Sequence, residues 1–450
     1  MLMTRTVASA CLVLLLGCSA PPPRTSPGAV RLKVGAAAVD LEADDAMVIG
    51  GSIHAGKAKG QEGKLRAVAV VVEAPGSGAI AIAACDVLMM NRDLLDAAAA
   101  EIEKTCGIPF ANILINCTHT HHAPSSCTIH GYARDEVFAK RSADGVVKAV
   151  REAWARRADA DFLFARGEES SVGMNSRLLL KDGAIYWIGP RDDVVRPTGP
   201  FDPELPLLSF RGADGKPIAT LFNHSTHTIG TRQGGVRSPS FYGLAAQELE
   251  GDLGGVVQFL EGASGSTHNL NVPCVEAVLR IKAAVQQAFA KAEPRPVRSL
   301  AAIKREFSYR VRRFDDSREE EAVSTYCKKR AGNHAEGFIQ VFRDQRDVLR
   351  PRQGELRKTW LQAVRIGDVA VVGVPAEYFT TLGLDIKRRS PFRYTYIAEL
   401  ANDWIGYLPD RKAFDLGGYQ TWTGLHSFAE PGTGEAVADE IVTMLQELAS

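Results

Sequence analysis

Three histidines fall within four residues in Thr118-His119-Thr120-His121-His122, directly after the apolar run 113–117. A neutral imidazole is a common metal ligand, and residues i and i+2 of an extended segment face the same side. His119 and His121 can therefore converge on one point. A second group, His224-Ser225-Thr226-His227, ends the apolar run 218–223. His224, at the strand end, is read as a third imidazole, and His227 as a hydrogen-bonded loop histidine. A third apolar run, 369–374, leads through Pro375-Ala376 to Glu377. Strand ends that open into loops are where scaffolds commonly place reactive groups. Mixed His and Glu ligation that leaves one position for water is the pattern of a catalytic zinc. The chemistry this allows is attack of an activated water on a carbonyl or a similar electrophile.

The elements that position these groups follow from hydrophobic patterning. Residues 67–73 and 79–85 are continuous apolar runs, as buried strands are. Residues 91–105 form a helix, with Asn91 at its start, Asp93 in the first turn, and Gly107 with Pro109 at its end. Residues 113–117 are the next strand, and this strand–helix–strand order implies a parallel sheet covered by helices. Residues 135–156 form a helix whose apolar stripe runs through Val137, Phe138, Val146, Val147, Val150 and Trp154. Strands are expected at 161–165, 184–188, 207–210, 218–223 and 256–260, with a hairpin turn at Asp182-Gly183. Helices are expected at 242–250, 275–290 and 434–448, and a strand pair around Gly367-Asp368. The charged stretch 317–329 is expected to be a helical, solvated cover. The fold class is α/β, with mixed β-sheets covered by helices in a single large catalytic domain over residues 31–450.

Composition narrows the function further. Lys+Arg and Asp+Glu both number 53, and no basic stripe occurs, which excludes a nucleic-acid surface. Cys11 and Cys18 lie in the N-terminal segment. The remaining six cysteines show no C-x-x-C spacing, so a cysteine zinc site is not expected. The first residues have the form of an export signal: Arg5, an apolar core from Val7 to Leu16, then Leu15-Leu16-Gly17-Cys18, which resembles a lipobox. Residues 1–18 are read as a lipoprotein signal peptide. Residues 19–30, with Pro21, Pro22, Pro23 and Pro27, are read as a Pro/Ser-rich tether. The expected location is the bacterial envelope, in the periplasm or at the outer membrane, with the chain anchored through lipidated Cys18.

Four motifs in one order resemble the neutral ceramidase family. Asn112-Ile113-Leu114-Ile115 leads into Thr118-His119-Thr120-His121. Phe222-Asn223-His224-Ser225-Thr226 is similar to that family's second histidine segment. Val374-Pro375-Ala376-Glu377-Tyr378-Phe379-Thr380 is similar to its P-G-E-F-T segment, and Asn402 with Gly406-Tyr407 and Gly418-Tyr419 to its late tyrosine segment. The resemblance spans about residues 33–425 and stops short of the family's C-terminal immunoglobulin-like domain. It implies a Zn2+ held by His119, His224, Glu377 and Tyr419, with His121 stabilising an oxyanion. It also implies hydrolysis of an amide or ester bond in an N-acyl, lipid-like substrate. Within 261–269, aligning on Asn269 puts Thr267 at the family's serine position, and a one-residue slip would choose Ser266. The acidic residue of that segment is missing. Asn175-Ser176-Arg177 loosely matches the substrate segment, which makes Arg177 the useful arginine. The alternative is a non-catalytic surface lipoprotein that keeps the fold and binds a ligand or glycan.

Overall fold

The computed structural model describes residues 30–450. The expected signal peptide, lipidated Cys18 and tether lie outside the described residues. Among the described residues, no helix is long and apolar enough to cross a membrane.

The chain builds two β-sheets with helices on their outer faces. The large sheet uses β1 (Leu32–Asp40), β2 (Arg66–Ala74), β3 (Gly78–Cys85), β4 (Ile113–Cys117), β5 (Ala158–Glu168), β6 (Glu204–Gly212), β7 (Pro217–His224) and β8 (Val256–Glu261). Their order is β8-β7-β6-β5-β1-β2-β3-β4, with Glu293–Pro294 adding a short ninth strand beside β5. The second sheet runs β9 (Leu300–Arg310), β10 (Leu356–Ile366), β11 (Val369–Gly373) and β12 (Tyr394–Ala398). Between the sheets lies a dry layer that includes Val70, Ile82, Phe162, Phe210, Leu221, Val364, Val371 and Tyr396. α1 (Arg92–Cys106) and α2 (Glu136–Ala155) cover the outer face at one end of the large sheet. α3 (Ser240–Leu253) and α4 (Cys274–Ala290) cover the other end. α7 (Thr380–Arg389) and the C-terminal helix Thr433–Ala449 cover the smaller sheet.

The large sheet curls until its two ends meet. Asn116 Oδ1 on β4 accepts from Glu261 N at the end of β8 (3.1 Å), and Gln258 Nε2 on β8 donates to Val68 O and Ile82 O (3.0 and 3.1 Å). Asn223 Nδ2 on β7 donates to Leu260 O on β8 (2.8 Å) and to Ile397 O on β12 (2.9 Å), and the latter ties the large sheet to the second. These buried amides matter because an unpaired polar group there would be costly. They bring the tips of β4, β7 and β11 into one region.

The patterning located most of these elements. Asp135 caps α2 by accepting from Phe138 N (2.9 Å), and Gly107 closes α1 in the left-handed region (φ 68°). Four differences stand out. The large sheet is mainly antiparallel, with β3/β4 and β7/β8 as its parallel pairs, and the second sheet adds the parallel pair β11/β12. Residues 184–188 form no strand, because the Asp182-Gly183 turn leads into a ladder that stops at the single bridge Leu179–Ile185. Val137, counted in the apolar stripe of α2, is 61% exposed. The charged helix α5 (Asp316–Arg330) is more than a solvated cover: it buries Val323, Tyr326 and Cys327 against α6 (Ala335–Leu349) and Trp422. All six described cysteines are free and buried.

Gly35 on β1 lies under α2, where an added Cβ would sit 2.0 Å from Ala153 O. Gly35→Ala is expected to destabilise the fold by about 1–3 kcal/mol through overpacking. Urea unfolding should show a lower midpoint at an unchanged m-value, and an unshifted midpoint would contradict this packing.

Candidate metal centre

Each group in the centre stands just beyond a strand tip. His119 follows β4, and its backbone is held in the left-handed region (φ 61°), a strained conformation for a side chain of this size. The strand has already ended at Cys117, so this turn, rather than strand alternation, swings His119 and His121 together. His227 follows β7, and Glu377 follows β11.

Three ring orientations are set by backbone carbonyls. His119 Nδ1 donates to Leu88 O (3.0 Å), His121 Nδ1 to Gly51 O (3.0 Å), and His227 Nδ1 to Ser264 O (2.9 Å). A carbonyl only accepts, so in the neutral ring each Nε2 carries a lone pair. Those lone pairs converge. Nε2 of His119 and His121 are 3.3 Å apart, and the three rings' ligand atoms lie within 4.8 Å of one another. Glu377 Oε2 stands 3.6 Å from His119 Nε2 and 3.4 Å from His227 Nε2.

Burial dominates the electrostatics of the site. Burial, reinforced by His227, pushes His119 down to about 4, and burial with His119 and His227 holds His121 well below its ordinary value. Both rings are therefore neutral. Burial alone would raise Glu377, but the contacts with His227 and His119 outweigh it and leave the carboxyl at about 2. The Glu377 carboxylate thus faces the Nε2 atoms of His119 and His227, and His119, His227 and Glu377 are only 1%, 0% and 2% exposed. Two donors face the group: Trp404 Nε1 donates to Glu377 Oε1 (3.2 Å), and the Tyr407 hydroxyl lies 3.0 Å from His227 Nε2. The donor set and its carbonyl-anchored orientation fit a borderline metal ion such as zinc. A metal there would be held by His119, His121, His227 and Glu377.

Most of the other residues singled out from sequence are bonded elsewhere. His224 is still part of β7, and its ring points toward α3, where Nδ1 meets Tyr242 OH (2.5 Å) and Nε2 donates to Glu169 O (2.9 Å). His224 is thus turned away from the cluster, and His227, expected to be a loop histidine, joins His119 and His121 in the place expected for His224. Tyr419 OH meets His130 Nε2 (3.1 Å), whereas Tyr407 pairs directly beside Glu377 across a short parallel bridge. His121 joins the metal-facing nitrogens, and its only ring N–H is spent on Gly51 O, so the neutral ring has none left for an oxyanion.

Thr267 Oγ1 donates to Ser225 O (2.7 Å), and its carbonyl accepts from His227 N (3.2 Å), so it fastens the His227 loop rather than offering a free hydroxyl. The Ser266 hydroxyl is likewise bonded, to Thr380. Arg177 is buried and clamps the loop that carries Tyr419, through Ala413 O, Gly417 O and Gln420 Oε1. Tyr407, His227 and His268 were not selected from sequence. His268 stacks on His227, with ring centroids 4.2 Å apart at 16°. The only sequence signal for it was a histidine beside Asn269.

Comparison with known proteins finds the same architecture. No family model matches the sequence, and no curated protein does. Among solved structures, neutral ceramidase from Pseudomonas aeruginosa superposes with a TM-score of 0.70 at 19% identity, over 93% of this chain and 74% of that one. A ceramidase complexed with C2 gives 0.70 at 18%, over 93% and 75%. The chain therefore has an α/β fold of the neutral ceramidase type.

Three substitutions separate these assignments. His227→Ala should abolish stoichiometric metal binding, while His224→Ala should retain it and lose stability instead. Trp404→Phe removes the donor to Glu377 and should weaken metal affinity about 10–100-fold. Elemental analysis of the purified variants, with competition against a chelator, reads all three. Retained metal in His227→Ala together with loss in His224→Ala would reverse the assignment.

Proposed function

We propose that this chain is a metal-dependent hydrolase of the ceramidase type, with Zn2+ as the metal and an N-acyl amide or related ester as substrate. The observation that carries this reading is the convergence of three carbonyl-anchored imidazole nitrogens, two of which also face the buried Glu377 carboxylate. The shared architecture with ceramidase structures supports an N-acyl lipid-like substrate. Export and anchoring through Cys18, read from the sequence, belong to the same proposal.

Bound in this nest, a zinc ion supplies a water made acidic enough to act near neutral pH and a centre that polarises a carbonyl. The chain's own residues supply the rest. The carbonyls of Leu88, Gly51 and Ser264 fix the ring orientations, so no reorganisation is needed when the substrate arrives. Trp404 orients Glu377, and Tyr407 places a hydroxyl donor at the floor of the site. Burial holds that phenol, with Glu377 beside it, well above its ordinary pKa, so it stays protonated. Beside Tyr407, Tyr419 is sandwiched between Trp187 (ring centroids 4.8 Å apart at 4°) and His426 (4.7 Å at 16°).

Prolonged chelation followed by a panel of N-acyl amides, esters and lactones tests the proposal. Activity should fall to background in the metal-free protein and return on adding zinc. Glu377→Gln should lose both metal and turnover. Equal rates from the metal-free and reloaded protein would overturn it.

A further inference from the structure

His268 stands out because it is an imidazole at the site with nothing to hold. Ring nitrogens of His119, His121, His122, His130 and His227 all take part in hydrogen bonds. Among the described residues, none reaches either ring nitrogen of His268. The ring is nevertheless fixed. Thr267 and His268 pair with Asn175 and Met174 in a short antiparallel bridge, and Thr267 is tied to the His227 loop at both its hydroxyl and its carbonyl. The imidazole then lies flat against His227.

Its ring is also accessible. His119, His227 and Glu377 are sealed from solvent, whereas His121 and His268 are partly exposed. In the segment where the resembled family keeps a serine, this chain has a threonine whose hydroxyl is already spent. The next residue carries an unspent imidazole.

We infer that His268 is a catalytic residue that carries a proton from the attacking water to the leaving group. This rests on the hydrolase reading above. The water oxygen forms the new bond to the carbonyl carbon, and one of its protons passes to a ring nitrogen of His268. The C–N or C–O bond then breaks, and the same proton passes to the departing nitrogen or oxygen. Acid and amine, or acid and alcohol, leave, and the imidazole returns to its starting state. A positioned proton carrier of this kind contributes about 10²–10⁴-fold.

The test compares two substrates with the same acyl group in the zinc-loaded protein: an N-acyl alkylamide, whose amine cannot leave without a proton, and the p-nitrophenyl ester, whose phenolate can. In His268→Ala and His268→Asn, amide kcat should fall about 10²–10⁴-fold. Ester kcat should fall by a smaller factor, since only its attack step, and not its leaving group, uses the proton carried by the imidazole. Zinc content per chain by elemental analysis should be unchanged. An equal fall for amide and ester, unchanged amide turnover, or loss of zinc from both variants would overturn the role. If the wild-type chain binds no metal and hydrolyses neither substrate, the hydrolase reading fails and this inference fails with it. If the wild type is active and the variants keep its amide-to-ester ratio, only this inference fails.

Discussion

The centre depends on one constraint: three imidazoles must point their lone pairs at a carboxylate that burial keeps from water. Left to themselves, Nε2 atoms 3.3 Å apart would turn away from each other. They cannot, because each ring is anchored from behind by a backbone carbonyl, and those carbonyls belong to three separate segments at Leu88, Gly51 and Ser264. Holding these segments still is the work of the rest of the fold. The curled large sheet, the second sheet pressed on it and the side-chain amides between them leave the strand tips no freedom to relax. The left-handed backbone at His119 is a local sign of the same constraint.

Much of the fold follows from local pattern. Buried strands such as β2, β3 and β4 are uninterrupted apolar runs, and α1 and α2 begin and end at residues suited to those places. Long-range features were hidden for a physical reason. Whether β3/β4 continues into an all-parallel sheet is decided by how the strands are ordered across the sheet, and no single segment encodes that order. The sheet's curl rests on contacts such as Gln258 with Val68 and Ile82, which are remote in sequence. α5 looked solvated because its charge count is high, yet three buried side chains suffice to pack it.

At the site, the three strand tips were legible, but the choice of residue at each tip was less so. His119 and His121 were found from spacing, and the structure places them together by a turn that spacing did not anticipate. His224 was preferred over His227 because it is closer to the strand. Being still within the strand is what removes it: its ring is directed into the layer beneath α3, while the chain must leave the strand before a side chain can reach the tip of β4. Tyr407 and Tyr419 are both aromatic residues after a glycine, and nothing local separates them. The separation comes from the pairing of Glu377 with Tyr407, a contact between segments thirty residues apart.

The aromatic layer above the centre links this local chemistry to the surrounding helices. Tyr419 stacks on Trp187 and on His426, and its hydroxyl meets His130, whose other nitrogen lies 3.4 Å from Gln345 on α6. Phe342 of the same helix packs edge-on against Trp187 and Trp422. Arg177 holds the far side of the Tyr419 loop. α6, the glycine-flanked loop and Trp187 are thus packed into one aromatic cluster around Tyr419. Low polarity in such a chamber makes every remaining charge and dipole act more strongly. The burial that leaves the lone pairs and Glu377 in need of a cation therefore also strengthens the interactions a bound cation would make with a polarised carbonyl.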